Sequence, residues 1–282
     1  MIRRLDDLGR VLELPVRAER IVCLVPSITE TLFALGAGAQ VVGVTDYCIH
    51  PAEGVRSKEK VGGTKNVAVE KVLALHPDLV IANAEENRRH IVERLEGAGA
   101  SVFVTFPRTV DGCIKMIADV AALTGTEDPG RALIRAIENA RSEARAHPAQ
   151  SRSRVLCPIW KAPYMTVNRD TFVDSVILES GGENVFAGHA ERYPVFTLAE
   201  AAERRPDLII LPTEPYHFTD SDKEDFRALG AGVPAVRDGR IHIVEGELLS
   251  WYGPRLPRAL LTLRQHFAAP GGPSTGSAPG VR

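Results

Sequence analysis

Apolar residues in this chain gather in short unbroken runs more often than in strict alternation, the pattern of strands covered on both faces. Two runs form an internal echo. Val72-Leu-Ala-Leu-His-Pro-Asp-Leu-Val-Ile-Ala82 is answered by Ala201-Ala-Glu-Arg-Arg-Pro-Asp-Leu-Ile-Ile-Leu211. In each copy a helix ends, Pro-Asp follows, and a buried strand begins. Both strands then enter polar segments that carry glutamates, Asn83-Ala-Glu-Glu-Asn-Arg88 and Pro212-Thr-Glu-Pro-Tyr216. Those segments lie beyond the carboxyl ends of the strands, the edge at which open parallel sheets bind ligands.

Each half also opens on an apolar run flanked by helical periodicity, Arg20 to Val25 in the first and Arg154 to Ile159 in the second. Alternating strands and helices in two halves predict an α/β protein of two lobes with parallel sheets. The expected boundaries are an N-terminal lobe over 1–108, a helical segment over 109–150, a C-terminal lobe over 151–268 and a disordered tail over 269–282. The tail is rich in Gly, Pro and Ser and has nothing to bury. Within the helical segment, Asp128-Pro-Gly opens a helix with Leu133, Ile137, Ala140 and Ala144 on one stripe, ending near His147-Pro148. About 18 residues at 1.5 Å each reach roughly 27 Å, enough to join two lobes stiffly and keep any closure small. Two capping boxes are expected, Ser27 with Glu30 and Thr197 with Glu200.

Composition narrows the function classes. The 282 residues are 44% apolar and 25% charged, with 34 basic against 36 acidic residues, so no broad field invites nucleic acid. No apolar run is long enough to span a bilayer. Asp6 and Asp7 stand where a secretory signal would carry its apolar core, so a cytoplasmic protein is expected from the chain as written, with an extracytoplasmic one as the alternative if its start is misassigned. Cys23, Cys48, Cys113 and Cys157 are far apart, with no C-x-x-C pair, and read as buried reduced thiols.

Catalytic motifs are missing. Gly36-Ala-Gly38 and Gly43 miss the dinucleotide fingerprint because Val41 occupies its last glycine position, and these glycines end a helix. There is no P-loop, no G-x-S-x-G and no H-E-x-x-H. The eight histidines never occur as H-x-H or at i, i+4, so no metal site is expected; His50 and His217, in loops at the pocket edge, are left out of the site. Glu85-Glu86-Asn87-Arg88 reads either as the charged first turn of a helix or as a ligand contact. Aromatic and cationic residues gather in loops after the strands: Tyr47, Trp160, Tyr164, Tyr193, Tyr216, Trp251 and Tyr252 beside Lys65, Arg169 and Arg192. Flat rings with cationic rims suit a bulky ligand.

Several ordered segments resemble one family. They are Asp7-Leu-Gly-Arg10, the run from Arg20 through Pro26-Ser-Ile-Thr-Glu30 to Gly36, Gly43-Val-Thr, Val72 to Ile81, and Gly181-Gly-Glu-Asn-Val-Phe186. Together they look like the cobalamin- and siderophore-binding receptors of ABC importers, over roughly residues 4 to 265. The resemblance implies two Rossmann-like lobes joined by one rigid helix, with cobalamin, haem or an iron chelate held between them as ligand. It implies no intrinsic cofactor and no turnover. By position the pocket draws on Ser27, Tyr47, Lys65, Asn66, Trp160, Arg169, Tyr193, Glu214 and Trp251; the loop reading adds Glu86, Tyr216 and Tyr252.

Receptors of that kind dock on a permease through one surface glutamate per lobe. Glu70, seven residues before Pro77, fits in the first lobe, whereas the matching place before Pro206 is Ala199, with Glu200 its neighbour. A tryptophan common in the first-lobe loop of cobalamin receptors is replaced by Gly63-Thr-Lys-Asn66, which implies a more polar or smaller ligand. Two rival classes follow: an enzyme acting on a chelate in the same cleft through Glu86 or Arg169, and a module binding a protein partner along the cleft edges.

Overall fold

The computed structural model describes residues 1–146 and 152–268. The tail expected to be disordered, and the expected helix end at His147-Pro148, lie outside the described residues. The first half runs β1 (Ile2–Leu5), β2 (Val11–Leu14), β3 (Ile21–Cys23), α1 (Pro26–Ala34), β4 (Val41–Val44), α2 (Ala52–Arg56), β5 (Glu59–Lys60), α3 (Val69–Ala74), β6 (Leu79–Asn83), α4 (Arg89–Gly97) and β7 (Val102–Thr105). Helices α5 (Val110–Thr124) and α6 (Glu127–Ala146) follow. The second half runs β8 (Ser153–Leu156), α7 (Phe172–Glu179), β9 (Gly182–Asn184), α8 (Leu198–Glu203), β10 (Leu208–Pro212), α9 (Lys223–Arg227), α10 (Pro234–Arg237), β11 (Ile241–Val244), α11 (Glu247–Ser250) and α12 (Leu256–Phe267).

Two parallel sheets result, ordered β5-β4-β3-β6-β7 and β11-β10-β8-β9, beside an antiparallel β1-β2 hairpin. The fold is the expected α/β class. In each sheet the first strand, β3 or β8, lies inside the sheet, and the chain builds outward first on one side and then on the other. That reversal creates a switch point between β3 and β6 and another between β8 and β10, where the following loops diverge and leave a crevice.

The Pro-Asp echo holds these switch points together. Asp78 accepts backbone N–H bonds from Glu19 (3.0 Å) and Arg20 (2.9 Å), and Asp207 accepts one from Arg154 (3.0 Å). The two arginines answer in kind, Arg20 donating to the Leu75 carbonyl and Arg154 to that of Arg204. His76 and Arg205, just before the prolines, both adopt left-handed φ, 47° and 46°. Each copy thus pins the entry of one inner strand against its neighbour.

The 20 residues of α6 extend about 30 Å. Its stripe of Ile137, Ala140 and Ala144 is buried, and Glu179 of α7 receives both Arg141 (2.5 Å) and Arg145 (2.6 Å) from it. The lobes are joined by more than this helix. One continuous apolar core runs from Ile21 and Leu79 under the first sheet, through Val120, Ile137 and Val176, to Leu208 and Leu260 under the second. Smaller clusters cover the outer faces of the two sheets. At the seam, Arg255 binds Glu30 at 2.7 Å, and Gly253, with φ of 87°, lies so close to Thr31 that a Cβ there would meet its Oγ1 at 2.0 Å.

One capping expectation stands and one is corrected. Thr197 and Glu200 form the reciprocal box at the start of α8. Ser27 and Glu30 do not: Pro26 sets the first turn of α1, Val25 becomes the N-cap, and Ser27 falls inside the helix. Glu30 is thereby free to cross the seam to Arg255. All four cysteines are free and buried.

A shared core predicts shared unfolding. Ile137→Ala, at a fully buried position, should cost about 2–5 kcal/mol. In urea, far-ultraviolet circular dichroism and the fluorescence of Trp160 and Trp251 should move together to a lower midpoint in a single transition. Separate transitions for the two probes would contradict the shared core.

Candidate functional site

Both switch points open onto one cleft of about 330 Å³. Pro26 and Ser27 reach it from the end of β3, Glu85 and Glu86 from β6, Ile159 from β8, and Glu214 and Pro215 from β10. The rest of the wall comes from Val167, the start of α7, Tyr193, and the end of α11 with the segment after it; Phe172 and Tyr252 stack edge to face there at 4.8 Å.

The turn bearing Glu85 and Glu86 is not the first turn of a helix, which corrects that expectation. Buried Asn83 accepts through Oδ1 from the N–H groups of Glu85 (2.8 Å) and Glu86 (3.2 Å). Buried Asn87 accepts from the N–H of Asn83 and donates to the carbonyls of Leu24 (3.2 Å) and Thr64 (2.9 Å). With these amides fixing a non-helical turn, α4 starts only at Arg89.

Glu214 is fixed from its own lobe. The Trp251 indole Nε1–H is shared between its two carboxylate oxygens, each at 3.3 Å. Gly246 passes so close to Glu214 that a Cβ would lie 2.4 Å from its backbone nitrogen, so only glycine fits there. Trp251 is itself held by the Arg255 guanidinium over its ring (4.9 Å) and by His50 at its edge (5.7 Å).

Burial, reinforced by the charges of Glu214 and Glu85 and opposed by Lys65, raises the Glu86 carboxyl to a pKa of about 7. Burial likewise raises that of Glu214. The Ser27 hydroxyl, buried in the cleft wall, has no hydrogen-bond partner.

The mouth is tied across the lobes. Arg192 binds Glu85 at 2.9 Å and stacks over Phe106 at 4.7 Å, while the Tyr193 hydroxyl donates to the same carboxylate. Lys65 donates to the Glu85 carbonyl. Arg108 and Asp170 make a second bridge at 2.6 Å, half exposed and therefore weak.

Of the residues singled out from sequence, Ser27, Glu86, Tyr193, Glu214, Trp251 and Tyr252 meet in this cleft. Lys65 stands at its mouth, and Tyr47, 64% exposed, stands beside Gly63 outside the cleft wall. Asn66 is exposed, with its N–H closing a turn onto Gly63. Trp160, 44% exposed, leans on Tyr216, which packs on Phe218 in the outer core of the second lobe. Arg169 is exposed and donates to the Ala187 carbonyl. Sequence reasoning missed Phe172, whose one signal is the Thr171-x-x-Asp174 helix start, and the latch role of Arg192. Glu70 is exposed and paired with Arg94 at 2.6 Å. Among the described residues, no three His, Cys, Asp or Glu side chains are grouped to hold a metal, and no helix is long and apolar enough to cross a membrane.

Residues 21–247 match a family model described as periplasmic binding protein. The vitamin B12-binding protein of Vibrio parahaemolyticus is 25% identical over 253 residues, 88% of this chain and 89% of that protein. The solved periplasmic vitamin B12 binding protein BtuF of Vibrio cholerae superposes with a TM-score of 0.78 over 90% of this chain and 98% of its own, at 22% identity, a likeness of fold. The periplasmic heme-binding protein RhuT of Roseiflexus sp. RS-1 gives 0.75 over 89% and 98%, at 26% identity. The match to periplasmic proteins overturns the expectation of a cytoplasmic one. That expectation rested on Asp6 and Asp7, which serve the fold instead: Asp6 binds Arg10 at 2.7 Å, and Asp7 accepts from Lys115 and the N–H of Phe106.

The Glu86 carboxyl makes stability depend on pH. Its folded pKa lies above the ordinary glutamate value, so its contribution is complete at low pH and is lost as pH rises through about 7. Glu86→Gln should raise the thermal midpoint at pH 8 and change it little at pH 4.5. An equal shift at both values would contradict the assignment.

Proposed function

The chain belongs to the periplasmic binding protein family, and on that premise we propose that its cleft holds a cobalamin or closely related corrinoid for delivery to a membrane importer. It is a binding protein and not an enzyme, and the ligand leaves unchanged. The observation that carries this reading is the convergence of both sheets' switch points on one cleft walled by Trp251, Tyr252, Phe172 and Tyr193. Aromatic faces supply large contact area with little entropy to lose. Relatives named vitamin B12-binding protein support the ligand class.

A corrinoid is larger than the cleft of about 330 Å³. In this reading its body rests at the mouth, against the exposed rings of Tyr47 and Trp160, and only one edge enters the cleft. Entry then requires Arg192 and Tyr193 to release Glu85, a local change that leaves the shared core intact. Lys65, Asn66, Arg169 and Tyr216 are contacts of the mouth in the same proposal. Docking on the importer falls to Glu70 in the first lobe. Glu200 is a poorer counterpart, because serving there would cost α8 its cap.

Titration of the full chain with cyanocobalamin, followed in the visible spectrum, should saturate with a micromolar or tighter dissociation constant. Trp251→Ala should weaken binding by at least tenfold, about 1.4 kcal/mol or more. A constant weaker than about millimolar (~4 kcal/mol) for cyanocobalamin would overturn the reading, whatever haem or ferric chelates do.

A further inference from the structure

The cleft wall contains three glutamates, Glu85, Glu86 and Glu214, and no Lys, Arg or His. The cations nearby are committed elsewhere: Arg192 and Lys65 serve Glu85 at the mouth, and Arg255 pairs with Glu30 behind Trp251. Glu86 and Glu214 occupy opposite lobes yet stand close enough for one charge to raise the proton affinity of the other. In the wall beside them, Ser27 is 3% exposed and its buried hydroxyl is unpartnered. An unpaired buried hydroxyl is costly unless a ligand completes it.

Resting on the corrinoid reading, we infer that Glu86, Glu214 and Ser27 form a subsite for carboxamide groups on the ligand rim and that it rejects ligands bearing carboxylates there. A primary amide offers N–H donors and a carbonyl acceptor on one planar group. The glutamates accept from its N–H, and the Ser27 O–H donates to its carbonyl. A carboxylate offers acceptors alone, so it brings neither glutamate a donor and adds a like charge in a partly desolvated cleft. Haem propionates and carboxylate siderophores fall in the rejected class. The selectivity arises from both lobes at once, since Glu86 enters from the loop after β6 and Glu214 from the loop after β10.

The test compares two corrinoids of the same ring on the full chain at pH 8: dicyanocobinamide, whose rim carries carboxamides, and the corresponding heptacarboxylate. The carboxamide form should bind at least tenfold more tightly to the unmodified protein. In the double variant Glu86→Gln with Glu214→Gln, that ratio should fall to about threefold or less, chiefly through tighter binding of the heptacarboxylate. Ser27→Ala, a smaller change in α1, should weaken the carboxamide form at least threefold. Equal binding of the two ligands by the unmodified protein would overturn the subsite while leaving the corrinoid reading in place. So would a ratio unchanged in a folded double variant. Failure of both corrinoids to bind would overturn the corrinoid reading and the subsite with it. The ratio in the unmodified protein is read without any substitution, so misfolding of a variant does not remove the test.

Discussion

The structure depends on one apolar core that does not stop at the boundary between the lobes. Residues under the first sheet, along α5 and α6 and under the second sheet belong to a single buried cluster. A close-packed interior resists shear, because moving one wall opens voids that forfeit contacts throughout. The lobes therefore cannot swing apart as bodies on a flexible linker. The polar seam agrees with this: Gly253 against Thr31 and Arg255 on Glu30 leave no slack between the last helix and the first.

A rigid base makes the cleft a pre-formed one. Its acidic side chains sit on loops after the inner strands β6 and β10, and each loop is locked by a second layer, Asn83 and Asn87 under Glu86, Gly246 and Trp251 around Glu214. Little ordering remains to oppose binding, so more of the contact energy is available to the ligand. The adjustable part is confined to the mouth, where Arg192 and Tyr193 reach across to Glu85. Local opening of a few polar contacts is cheap beside rearrangement of the core.

Much of the fold was legible because parallel strands buried on both faces must be continuously apolar. Leu79–Asn83 and Leu208–Pro212 announce themselves in that way, and the Pro-Asp echo marks the two lobes as built alike. What local pattern could not show was partnership over long separation. Ser27 and Glu30 satisfy the spacing of a capping box, yet Pro26 moves the helix start and Glu30 pairs with a residue 225 positions away. The loops rich in aromatic residues were visible, but which ring faces the cleft is a matter of tertiary packing: Tyr216 turns onto Phe218, whereas Trp251 turns onto Glu214. The turn at Glu85 and Glu86 was ambiguous because its two buried asparagines compete with the helix only once the Leu24 and Thr64 carbonyls are in place.

A crystal structure of the full chain grown with cyanocobalamin would decide where the ligand sits and what moves. The corrin should lie between the lobes, one edge in the cleft beside Trp251, Glu86 and Glu214, with Glu85 released from Arg192 and Tyr193 and the core packing unchanged. A corrin seated away from the cleft, or lobes that rotate apart and divide the shared core, would contradict it.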